Sequence, residues 1–173
     1  MVLKRSKRFD TKKFENLILH IAKKCAGNPR FGEAVFYKML YFADFDFYEL
    51  YERSLTGETY LKRKYGPVPK HFQKIAERMI KEKKLERVPT RYFNKTQKRY
   101  IPLVKPDYTK ISGEEIVFID KTIDRLNSFN ATQVEDYSHE DIPFKTAKED
   151  KPLDYEMVFY RAPQYSVREY SNE

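Results

Sequence analysis

The chain has 173 residues, 34 Lys and Arg against 26 Asp and Glu, a net charge of +8 and a mean hydropathy of −0.79. A chain of about 150 residues buries roughly 68–70% of its unfolded surface, so this one can hold a core without covalent staples. A charged fraction of 35% suits disorder, but 14 Tyr and 13 Phe exclude that reading, since disordered chains are poor in aromatics. The single cysteine, Cys25, excludes a disulfide framework and a cysteine-based zinc site. No uncharged run approaches the ~20 residues of a membrane span, and no apolar stretch follows the basic start. A soluble, cytoplasmic protein of one domain over 1–173 is expected, with a core at about 11–161 and flexible ends at 1–10 and 162–173.

Charge is unevenly spread. Residues 1–60 carry 11 basic and 8 acidic side chains; residues 61–110 carry 16 and 4, a net of +12; residues 111–173 carry 7 and 14, a net of −7. The basic middle could meet phosphates, an acidic protein, or the chain's own acidic last third.

In chain order, Phe14, Leu17, Ile18, Ile21 and Ala22 recur at helical spacing over 11–25, with Thr11 as the cap and Gly27, Asn28 and Pro29 as the stop. A longer helix over 33–53 carries aromatics from Phe36 to Tyr51 on more than one face, as a central helix does. Residues 58–65 read as a short edge strand interrupted by Lys62, Arg63 and Lys64. Gly66-Pro67-Val68-Pro69 then reads as a stop and a helix start, leading into a basic helix over 67–84. A hairpin follows over 85–104, its tip at Asn94-Lys95-Thr96-Gln97, and Pro89 and Pro102 require free edges or bulges. Ser112-Gly113-Glu114-Glu115 is a capping box opening a helix to about 128, and Asn130 to Gln133 repeats the pattern. A last helix around Leu153-Asp154-Tyr155 ends near Arg161. Helix, helix, strand, helix, hairpin is the order of a winged helix. The fold class expected is therefore α+β, mainly helical and winged-helix-like, with a helical C-terminal cap.

Chemistry is hard to find. His20, His71 and His139 stand at no ligand spacing from one another, and helix capping or a backbone carbonyl accounts for them better than a metal. Lys23 and Lys24 could lower the pKa of Cys25, but no signature supplies a base. Asp44 and Asp46 point to different faces of their helix. No phosphate loop, serine elbow or kinase set occurs, so neither an enzyme nor a cofactor is expected.

Four strings occur in order: Tyr37-Lys38-Met39-Leu40-Tyr41-Phe42-Ala43-Asp44; Ser54 to Tyr60 with Tyr65-Gly66-Pro67-Val68-Pro69; Ser138-His139-Glu140-Asp141-Ile142-Pro143-Phe144; and Leu153-Asp154-Tyr155. Together they make the chain resemble the SocA-like, or Panacea, antitoxin domain of toxin–antitoxin systems. The resemblance implies a non-enzymatic protein that binds and neutralises a toxin encoded beside it, or presents that toxin to a protease. Two sets of candidate residues follow. An aromatic, arginine-bearing turn stiffened by prolines suits a toxin contact: Lys62, Arg63, Lys64, Tyr65, Gly66, Pro67 and Pro69. If the chain is instead a winged-helix regulator, or also represses its own operon, Lys70, Lys74, Arg91, Lys95, Lys98 and Arg99 are the contacts to operator DNA.

Overall fold

In the computed structural model, which describes residues 8–169, the aromatic-rich second helix is the axis around which the other elements pack. The first helix, α1 (Thr11–Lys24), is capped by Asp10, whose side chain accepts from the Lys13 amide at 3.0 Å; the cap is one residue earlier than Thr11. Phe14, Leu17, Ile18 and Ile21 bury the stripe that the spacing predicts. In α2 (Glu33–Tyr51), residues 35–47 are buried without a break, so this helix has no solvent face over most of its length.

The largest departure from expectation lies after α2. Residues 60–69 form a tight antiparallel hairpin, β1 (Tyr60–Arg63) with β2 (Gly66–Pro69), in the register Tyr60–Pro69, Leu61–Val68, Lys62–Pro67 and Arg63–Gly66. Pro67 and Pro69 thus stand in a strand and do not open a helix. Proline's fixed φ suits an extended chain as well as a helical first turn, and β2 has no partner strand on its other side to need the missing N–H groups. The outer edge of β1 is covered by residues 150–153: the Lys62 amide donates to Lys151 O, Asp150 N to Lys62 O and Leu153 N to Tyr60 O. The next helix, α3 (Phe72–Lys81), therefore starts five residues later than the predicted 67. It buries Phe72, Ile75, Ala76 and Met79 and turns Lys74, Glu77 and Lys81 to solvent.

The second sheet pairs β3 (Leu85–Tyr92) with β4 (Lys95–Pro102). Its turn is Phe93-Asn94, with Phe93 at φ 53°, so Lys95, Thr96 and Gln97 belong to the strand and not to a four-residue tip. Each sheet has two strands, which leaves the free edges that Pro89 and Pro102 require. Both expected capping boxes are present, Ser112–Glu115 opening α4 (Gly113–Leu126) and Asn130–Gln133 opening α5 (Ala131–His139). A short α6 (Ile142–Lys145) and a 3-10 helix (Tyr155–Tyr160) complete the chain.

Within the segment expected to fray after 161, residues 165 and 166 are tied to the fold. Tyr165 is buried and donates to Tyr137 O at 2.9 Å, and Ser166 Oγ donates to Glu49 Oε2 at 2.5 Å. Likewise Phe9 stacks on His71 and Asp10 N donates to Thr56 O at 2.8 Å, so residues 9 and 10 are part of the fold. The remaining residues expected to be flexible, 1–7 and 170–173, lie outside the described ones.

Candidate functional site

The β1–β2 hairpin divides the first candidate set in two. Lys64 and Tyr65 form the two-residue turn and are exposed, Tyr65 by 60%. Gly66, Pro67 and Pro69 are buried against α2 and α5 and present no side-chain surface. Arg63, on the exposed side, is ion-paired with Asp150. Lys62 lays its ammonium over the Phe144 ring, 4.6 Å from the centroid, a cation–π contact that ties the hairpin to α6.

Beneath this turn lies a residue that the sequence reading passed over. Lys38 of α2 is 2% exposed, and its side chain runs under Gly66. Gly66 has φ +116°, and a Cβ built on it would strike the Lys38 side chain and come 2.8 Å from Ser138 Oγ and 3.1 Å from Lys38 Nζ. Glycine is needed here for both conformation and space. Burial pulls the Lys38 ammonium down to about 8, against a weaker opposing field from Glu135. The signal was legible as a lysine inside a helix apolar on all faces.

Of the second set, Lys70, Lys74, Arg91, Lys95 and Lys98 are exposed. Arg99 is not free for phosphates: its guanidinium donates to Asn28 O at 2.6 Å and Ala26 O at 3.0 Å, closing the α1–α2 loop. Gln97 Nε2 donates to Pro29 O at 2.8 Å, so β4 is moored to the same loop while Phe93 at its tip is 83% exposed. The basic middle is not neutralised by the acidic last third. Among the described residues one ion pair, Arg63–Asp150, joins residues 61–110 to residues 111–169. The acidic partners serve other elements: Glu115 pairs with Lys13 at 2.5 Å and Asp120 with His20 at 2.7 Å.

The titratable groups weighed for catalysis are occupied by structure. Asp44 accepts from Thr56 N at 2.9 Å, Thr56 Oγ1 at 2.8 Å and Tyr60 Oη at 2.6 Å; burial pushes its carboxyl up to about 6 against those bonds. Asp46 faces the other way, to Arg161 at 2.7 Å and Arg125 at 2.5 Å. Arg161, fully buried, also meets Glu49 at 3.1 Å and Asp141 at 2.7 Å, and Tyr41 Oη donates to Asp141 at 2.8 Å. The Asp141 carboxyl is raised by burial, an effect that outweighs the Arg161 charge. Cys25 lies 3.7 Å from Met39 Sδ, and burial pushes its thiol up to about 12, so desolvation overrides the charges of Lys24 and Arg99. His20 and His71 bond carboxylates, Asp120 at 2.7 Å and Glu58 at 2.6 Å; His71 stands at the N-terminal cap position of α3 as a helix-end histidine, but its side chain makes no capping bond. His139 stacks on Phe144 at 4.8 Å, and its buried Nε2 has no hydrogen-bond partner.

No described helix is long and apolar enough to cross a membrane. Searches of curated proteins and of solved structures found no match to the chain. A family model described as antitoxin SocA-like, Panacea domain, matches residues 36–143. That span begins in α2 and takes in the hairpin over Lys38, α3, the β3–β4 sheet, α4 and α5. Covering well over half of its length, the match makes the chain a member of the SocA-like antitoxin, Panacea-domain family.

Proposed function

We propose that this protein is a non-catalytic, cytoplasmic antitoxin that binds a cognate protein toxin encoded beside it and neutralises it by forming a stoichiometric complex. The family match over residues 36–143 carries the reading. Its support in the structure is a set of exposed cations, Lys64, Lys70, Lys74, Arg91, Lys95 and Lys98, that have no ion pair among the described residues, which suits an acidic partner face. The exposed turn Lys64-Tyr65, flanked by Lys62 and Arg63 and held by the buried Gly66, Pro67 and Pro69, is the contact with the strongest physical case. It offers an aromatic beside the Lys64 ammonium on a two-residue turn, so little conformational entropy is lost on docking.

Co-expression tests this directly. The product of the adjacent gene, toxic alone, is expected to be harmless beside this protein at equimolar levels, and the two to co-elute as a soluble complex. Changing Lys64 to Glu together with Tyr65 to Ala should abolish rescue while leaving the melting temperature of the free chain unchanged, because both side chains are exposed. Rescue by sub-stoichiometric amounts would replace this reading with a catalytic or protease-presenting role. A winged-helix regulator is the second reading, favoured by the exposure of Lys70, Lys74, Arg91, Lys95 and Lys98 around α3 and the β3–β4 hairpin. Both roles can reside in one protein, with operator DNA as the second partner.

A further inference from the structure

Lys38 departs from a rule that the rest of the interior obeys. The other buried charged residues have counter-charges or hydrogen bonds: Glu15 with Arg78, Asp44 with Thr56 and Tyr60, Asp46 and Glu49 with Arg161, Glu58 with His71, Glu115 with Lys13, and Asp141 with Arg161. Among the described residues, Lys38 Nζ has no carboxylate within 4.0 Å and makes no hydrogen bond. An ammonium this nearly removed from water and without a partner is costly, and a well-packed fold does not keep such a group at that cost by default.

Its surroundings are also one-sided. Ser138 Oγ and Lys38 Nζ both lie within about 3 Å of the point that a Gly66 side chain would fill. Lys62 Nζ sits over the Phe144 ring, and His139, the residue after Ser138, stacks on that ring with its buried Nε2 unpartnered. Neither Lys62 nor His139 has an ion pair among the described residues. Lys38 Nζ and Ser138 Oγ, whose hydroxyl donates to Glu135 O at 2.8 Å, thus lie behind the turn, Lys62 and His139 share the Phe144 ring at the hairpin, and Glu135 acts on Lys38 only from beyond pairing distance. The turn in front of them, Lys64-Tyr65, is the exposed one.

We infer that Lys38 is the receptor for a carboxylate of the partner protein, an Asp or Glu side chain inserted beside the β1–β2 turn and held by Lys38 with Lys62 and His139 beside it. The inference rests on the toxin-binding reading and specifies its chemistry. A protein carboxylate is favoured over a free anion because the aromatic turn adjoining the ammonium supplies contact area only to a macromolecule. Gly66 then has a functional reason as well as a steric one: it keeps the strand bare where the lysine reaches the base of the turn. The lowered affinity of Lys38 for its proton fits an ammonium awaiting its counter-ion.

The test uses the full chain and the product of the adjacent gene. Lys38→Met preserves length and removes the charge; calorimetry should show affinity for the toxin falling about 30-fold or more, with the free chain melting no lower than wild type. Wild-type complex labelled at lysine Cε should show the Lys38 pKa raised from about 8 to above its ordinary value, a readout that needs no variant. Neutralising the toxin's acidic residues one at a time should find one whose loss is not additive with Lys38→Met. If Lys38→Met binds within about threefold of wild type, or the Lys38 pKa does not move in the complex, the carboxylate assignment is wrong although the antitoxin reading stands. If wild type does not bind the neighbouring product at all, both fall together.

Discussion

At the scale of single residues, the interior of this protein is more polar than its aromatic content suggests, and each buried charge does a defined job. Asp44 is the junction between α2 and the segment leading into β1, taking three hydrogen bonds from Thr56 and Tyr60. Asp44→Ala would strand a buried amide and two hydroxyls, and we expect a loss of about 3 kcal/mol in urea unfolding. The pH dependence follows from the raised carboxyl. With its folded pKa at about 6, above the unfolded 3.8, the native state holds this proton more tightly, so the stability from this group is full below 3.8 and lost as pH rises through 6. The advantage of wild type over Asp44→Asn should therefore be larger at pH 5 than at pH 7, and paired denaturation curves at the two values would check it. An advantage that grows from pH 5 to pH 7 would contradict the assignment.

At the scale of elements, two devices hold the chain's last third onto α2. Residues 150–153 add backbone hydrogen bonds to the edge of β1, and Arg161 gathers Asp46, Glu49 and Asp141 in the interior. Arg161→Met would leave Glu49 and Asp141 buried without their cation and Asp46 with Arg125 alone, and a loss of about 3–5 kcal/mol is expected, with the segment after the 3-10 helix becoming sensitive to limited proteolysis. The hairpin is equally specific about its glycine. Gly66→Ala places a Cβ on the Lys38 side chain at a φ that L-residues rarely adopt, and should cost about 2 kcal/mol or more by thermal melting. A neutral Gly66→Ala would mean that the strand and Lys38 can move apart.

At the scale of the molecule, charge is segregated more than paired. Among the described residues the basic 61–110 region meets the acidic last third in the single ion pair Arg63–Asp150, while Glu115 and Asp120 pair with α1 and Asp141 with Arg161. If operator DNA is a partner of that region, log affinity should fall against log salt with a slope of about −0.9 per neutralised phosphate. Reversing Lys70, Lys95 and Lys98 to Glu should then flatten that slope without unfolding the chain, since all three are exposed. The same reversal at Arg99 should instead loosen the α1–α2 loop, because that guanidinium holds two of the loop's carbonyls. Fluorescence anisotropy for binding and thermal melts for stability separate the two effects.

The helices, both capping boxes, the hairpin over 85–104 and the family were legible in the sequence, because each rests on local spacing: 3.6-residue periodicity, a cap three residues from its partner, and four motif strings in fixed order. Gly66-Pro67-Val68-Pro69 was misread as a helix start because proline's φ fits a strand and a helical first turn alike; only the pairing of Pro69 with Tyr60 and the packing under it decide. Which of the chain's cations face solvent was equally beyond a linear reading. Arg99 and Arg161 are spent on carbonyls and carboxylates 20 to 115 residues away, and Lys38 is buried beneath a turn 28 positions later. Composition sets how many charges a chain carries, but whether each one is paired, solvated or held in reserve depends on contacts between residues far apart in sequence, and those exist only once the chain has folded.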